Sequence, residues 1–187
     1  MKPGIRDFHR FAKGDFKRQL LTRYKRLEIL TEADLQAYAC ELLRKFFRSN
    51  DPTGKRFRIL NKPFFREIGI HPDVAVFKRG KPWVLFEIKE RRDLPERAAR
   101  KERNRLLEVR QALRGDTRPK RAYLLYAVRR GKKRALPGPK GEGTRYFFEI
   151  PIVLQGTWSI DRIKRWEREH KKWSKYTSEE PDTGVGK

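Results

Sequence analysis

One cysteine, Cys40, and three histidines are all that 187 residues offer to a thiolate or imidazole metal site. A lone cysteine excludes an intramolecular disulfide and a Cys-x-x-Cys zinc site, and the histidines lack the paired spacing of a histidine zinc enzyme. Any bound metal is therefore expected to have oxygen ligands. Nor is there a run approaching the ~20 apolar residues of a bilayer span. The opening, MKPGIRDFHR, has no apolar stretch of the signal-peptide kind. These absences predict a soluble, cytoplasmic chain with no membrane partner.

What is present is positive charge. Lys and Arg number 48 against 24 Asp and Glu, a formal net charge of +24, yet 37% of residues are hydrophobic and 12% aromatic. That apolar content suffices for a packed core, so the chain reads as a basic globular domain with extensions and not as a disordered polycation. The charge is uneven: +13 of the +24 falls between Arg91 and Arg145, whereas residues 31–90 carry 12 basic and 8 acidic groups. A block this basic beside a more balanced segment suggests a polyanion track laid over a distinct core. Nucleic acid is the leading partner, ahead of a solvated surface selected for solubility or an anionic membrane.

Periodicity divides the chain. Residues 1–30 read as a basic N-terminal arm with one helix, from Asp15 onward. Thr31 is an N-cap with Asp34 placed to reach back, and Leu35, Ala39, Leu42, Leu43 and Phe46 follow at helical spacing to about Arg48. After the turn-rich SNDPTGK, the segments FRIL, KPFFREIGI, PDVAVFK and WVLFEIK are strand-like. A second helix fits Leu94 to Leu113, a strand covers 122–128, a basic loop 129–144, and RYFFEIPIVL is a last strand. The core is thus expected over 31–156, followed by a C-terminal helix over 157–176 and a disordered tail over 177–187. The order calls for an α/β fold, a sheet with helices on each side.

Asp73, Glu87 and Lys89 stand out in HPDVAVFKRGKPWVLFEIKE. Alternation puts Glu87 and Lys89 on one strand face, with Phe86 and Ile88 on the other. If Arg79, Gly80 and Lys81 form an odd connection, with Lys78 opposite Pro82, Asp73 lies opposite Glu87 with β-carbons about 5 Å apart. An even connection would divide the carboxylates between faces. Such a pair is stabilised by a shared proton, a cation or a lysine, and its oxygens suit Mg²⁺. An adjacent ammonium can then orient or deprotonate a metal-bound water, the arrangement that phosphodiester hydrolysis needs. The same spacing equally fits a one-sided sheet, with Glu87 and Lys89 facing water and Asp73 capping a turn after Pro72.

Pro72-Asp73, thirteen intervening residues and Glu87-Ile88-Lys89 resemble the motif of the PD-(D/E)XK nuclease superfamily. The element order over residues 31–129 is similar to that family's αβββαβ core. The resemblance implies a restriction-endonuclease-like fold with a mixed central sheet, Asp73 and Glu87 as metal ligands, and Lys89 as the catalytic lysine. Mg²⁺ is the implied cofactor, with Mn²⁺ able to substitute, and the Ile88 carbonyl is a further candidate ligand. Many members add a carboxylate from the first helix. At about 100° per residue from Leu35, the apolar set spans about −20° to +80°, Glu32 falls near about +60° and Glu41 near about 240°. Glu32 is therefore the candidate third acid, with Gln36 one turn on. TEADLQ resembles the start of VRR-type nuclease domains, and transposon-end-cleaving endonucleases share the same core.

Arg91, Arg92, Arg97, Arg100, Lys101, Arg103 and Arg105 follow the motif, and Arg129, Arg130, Lys132, Lys133 and Arg134 lie in the later basic loop. Both groups are candidate contacts to DNA phosphates, which position a duplex without reading its sequence. The expected function is Mg²⁺-dependent DNA endonuclease. The competing class is a non-catalytic nucleic-acid-binding or assembly protein of the same fold. Paired cuts require two sites, so a homodimer or a partner protein is plausible.

Overall fold

Residues 8, 12, 16, 20 and 24 are Phe, Ala, Phe, Leu and Tyr, and all five are buried in a computed structural model of the chain. The structure describes residues 4–26, 28–66, 69–91, 96–128, 145–153 and 168. It divides into a unit Met1–Leu154 and a second unit, Gln155–Lys187, of which Arg168 alone is described. The expected basic loop and tail, and the expected C-terminal helix apart from Arg168, therefore lie outside the described residues.

An apolar repeat of four drifts about 40° per step around an α-helix of 3.6 residues per turn. A wider π turn at Ala12–Phe16 absorbs part of that drift between α1 (Ile5–Phe11) and α2 (Lys17–Lys25). Phe8 packs on Phe47, Trp83, Phe86 and Tyr123 with ring centroids 5.5–6.2 Å apart. The segment expected to be an arm, helical only from Asp15, is helical from Ile5 and part of the core.

Helix α3 (Glu32–Asn50) starts at the expected cap. Thr31 Oγ1 accepts the Asp34 N–H at 3.1 Å, and Asp34 Oδ2 accepts the Thr31 N–H at 2.9 Å. Its buried face is Leu35, Ala39, Cys40, Leu42, Leu43 and Phe47.

Five strands form one mixed sheet in the order β1 (Phe57–Asn61), β2 (Val74–Lys78), β3 (Lys81–Arg91), β4 (Arg121–Val128), β5 (Phe147–Val153). The first three pair antiparallel and the last three parallel. Helix α4 (Glu96–Ala112) joins β3 to β4, the long crossover that a parallel pair requires. Its Ala99, Leu106 and Val109 share a cluster with Ala75, Leu85, Ala122 and Leu124. Val84, Phe86, Ile88 and Tyr123 are fully buried, so the central strands are covered on both faces and read as continuous apolar runs. The described residues of KPFFREIGI form no strand and contribute one bridge, Phe65 to Ile70.

The β2–β3 turn differs from the expected odd connection. Lys78 pairs with Lys81, leaving the two-residue turn Arg79-Gly80, both with positive φ (52° and 78°). The mirror-image turns favoured in hairpins place their central residues there. Phe77 then pairs with Pro82 and Val76 with Val84, so Trp83 is an extra residue, a β-bulge. The bulge shifts the pairing by one and returns the carboxylates to the face that an even turn alone would deny them.

Candidate active site

Strand β2 begins at Val74, opposite Phe86, while β3 runs on to Arg91. Beyond Phe86 the β2-side edge of β3 has no β2 partner, and N–H groups two residues apart still point that way. Carboxylates take the place of the missing strand. Asp73 Oδ2 accepts the Ile88 N–H at 2.7 Å, and Glu32 Oε2 accepts the Glu90 N–H at 3.1 Å. Gln36 Nε2 donates to the Asp73 carbonyl at 3.0 Å, tying the first two turns of α3 to the same spot.

These bonds gather the acids around one ammonium. Lys89 Nζ lies 3.0 Å from Glu87 Oε1, 3.6 Å from Asp73 Oδ2 and 3.7 Å from Glu32 Oε1. Three elements contribute: Glu32 from the start of α3, Asp73 just before β2, and Glu87 with Lys89 from one face of β3. Glu41 points elsewhere and pairs with Arg23 at 3.7 Å. Ile88 is fully buried on the opposite face of β3.

Glu87 is the buried charge of the described core, at 1% exposure. Burial first, and the neighbouring Asp73 second, push its carboxyl up to about 7 against the pull of Lys89. For Lys89, burial lowers the affinity for its proton, but attraction from Glu87, Asp73 and Glu32 outweighs this and the net shift is upward. Glu87 Oε2 is buried with no hydrogen-bond donor. An orphaned carboxylate oxygen beside a second carboxylate fits a hard cation. Among the described residues no three Asp, Glu, His or Cys side chains form a metal-ligand set; the carboxylates surround Lys89 instead.

Folded Glu87 keeps its proton to about pH 7, whereas its ordinary value is 4.5. The folded state thus binds more protons between those values, and stability falls as pH rises through that window. Glu87→Gln removes the titration. In EDTA, the parent is expected to lose roughly 3 kcal/mol more than the variant between pH 4.5 and 7.5, measured by urea unfolding. Parallel stability curves for the two proteins would show that Glu87 titrates normally.

Arg105, expected on phosphate, donates to Glu87 Oε1 at 3.3 Å and to the His71 carbonyl at 2.7 Å. Glu102 lies 3.8 Å from the same guanidinium. Tyr126 is also beside the site, in register with Lys89 and donating to Glu149 Oε2 at 3.4 Å. The alternation of Ala122, Leu124 and Tyr126 along β4 was the available signal for it. Arg97, Arg100 and Lys101 are exposed on α4, and Arg103 is half-buried. Arg92 and residues 129–134, like the side chain of Arg91, lie outside the described residues.

Among the described residues, no helix is long and apolar enough to cross a membrane. No protein-family model, curated protein or solved structure matches the chain.

Proposed function

We propose that this chain is a Mg²⁺-dependent DNA endonuclease with a PD-(D/E)XK site on a restriction-endonuclease-like core. The observation that carries the reading is the convergence of Glu32, Asp73 and Glu87 on Lys89 where β3 outruns β2. The order α3, β1, β2, β3, α4, β4 supports the fold assignment. Asp73, Glu87 and Glu32 would hold the ion, with the Ile88 carbonyl as a further ligand and Mn²⁺ as a substitute. The ion supplies Lewis-acid stabilisation of phosphoryl oxygens and a lowered water pKa. Lys89 orients the attacking water and opposes the negative charge that develops on phosphorus oxygens. Exposed cations of α4 hold the backbone by its phosphates. A homodimer or a partner protein would supply the second site for paired cuts.

A specific observation favours the non-catalytic reading: Lys89 and Arg105 already neutralise Glu87. One assay separates the two. The protein is incubated with supercoiled, linear and branched DNA and with RNA, in Mg²⁺ or Mn²⁺ and in EDTA. DNA cleavage that requires metal and stops in EDTA is the expected result. Binding of every substrate without cleavage would support the non-catalytic reading, and cleavage of RNA alone would reassign the substrate.

A further inference from the structure

Phe64 is 54% exposed, one of two large hydrophobic side chains left open among the described residues. Its ring stacks on the His71 imidazole, centroids 4.5 Å apart and planes 19° from parallel. His71 is itself exposed. An exposed pair of parallel π faces offers a ready surface to another flat ring.

The pair sits on a braced loop. Phe65 is buried and its N–H donates to the Ile70 carbonyl at 3.0 Å, closing the loop between Phe64 and His71. The Lys62 N–H donates to the Asp73 carbonyl at 2.9 Å. At the other end, Arg105 holds the His71 carbonyl with one nitrogen and Glu87 with the other. Both ends are therefore bonded to residues of the acidic site, and the stack is fixed beside it. Lys62 and Arg66, flanking Phe64, are exposed. A partner carrying flat rings on an anionic backbone matches this combination of π surface and cations.

We propose that the Phe64–His71 stack is a platform for an unpaired nucleobase next to the cleaved phosphate, so that branched or flapped DNA is the preferred substrate class. This rests on the endonuclease reading above. In a blunt duplex each base is already stacked and paired, and reaching the platform costs the energy of extracting it. A base that is unpaired at a junction or flap avoids that cost.

The test measures affinity by fluorescence anisotropy in EDTA, with a labelled flap DNA, a blunt duplex of the same sequence and a flap whose unpaired nucleotides are abasic. Phe64→Ala is expected to weaken flap binding by about tenfold or more and blunt-duplex binding by less than about twofold, with Phe64→Trp restoring the flap affinity. The parent is expected to bind the abasic flap about as weakly as the alanine variant binds the intact one. An unchanged flap affinity, or equal losses on flap and duplex, would overturn the platform. Cleavage is not needed for this readout. A parent that discriminates through Phe64 but never cuts in Mg²⁺ refutes the endonuclease and not the platform; one that cuts without discriminating does the reverse.

Discussion

Lys89→Ala is expected to lower Mg²⁺-dependent cleavage by at least about a hundredfold, the scale on which loss of one preorganised group opposing transition-state charge is felt. Asp73→Ala is expected to remove it to background. The Lys89 ammonium, 3.0 Å from Glu87 and within 3.7 Å of Asp73 and Glu32, has its direction fixed by them and not by solvent. Truncation deletes that positioned charge and leaves Arg105 on the same Glu87 oxygen, Oε1. The fold has a means of surviving the change: Glu87, already pushed up to about 7, can keep its proton and avoid an uncompensated buried charge. Far-UV circular dichroism should therefore match the parent, and affinity for duplex DNA, if the exposed cations of α4 carry it, should stay within about twofold. Lost cleavage with retained binding and fold would establish the chemistry. Either variant cutting at the parent's rate would mean that the site lies elsewhere.

The parts legible in the sequence are those that local chemistry decides. The cap of α3 was readable because Thr31 and Asp34 satisfy each other's backbone within four residues. Glu32 over Glu41 was readable because helical angle alone separates a core-facing from a solvent-facing acid. The opposition of Asp73 and Glu87 was expected from an odd turn, yet it arises from an even turn corrected by a bulge at Trp83. Nothing in RGKPW announces that bulge: Trp83 settles there because it packs against Phe8, Phe47 and Phe57, residues far away in sequence. The same distance hid the N-terminal packing. Lysines and arginines interleaved with every fourth apolar residue gave residues 1–30 the look of a basic arm. Arg105 was hidden for a further reason, since its charge matches the run of basic residues around it, and only the seating of α4 over β3 turns it onto Glu87.

Salt is expected to produce the other large effect. Arg97, Arg100 and Lys101 lie on the exposed side of α4, at the spacing that puts side chains on one helical face. If each neutralises one duplex phosphate, together they contribute a slope of about −2.7 to log affinity against log salt, from roughly 0.9 per contact. Raising salt from about 50 to 200 mM would then cost about fortyfold through this helix alone. Cations among residues 129–134 that reach phosphate would each add about 0.9 to the slope. The measurement is anisotropy of a labelled duplex titrated at a series of KCl concentrations in EDTA, for the parent and for the triple variant Arg97→Ala, Arg100→Ala, Lys101→Ala. A parent slope steeper than the variant's by about 2.7 would assign three phosphate contacts to α4. Equal slopes would move the DNA track off this helix, and a parent affinity indifferent to salt would remove the polyanion reading of the +24 charge altogether. Because the carboxylates are held by backbone N–H groups of β3, the triple variant leaves them in place, so a purely electrostatic loss should be largest at low salt and shrink as salt rises, while a damaged site should not.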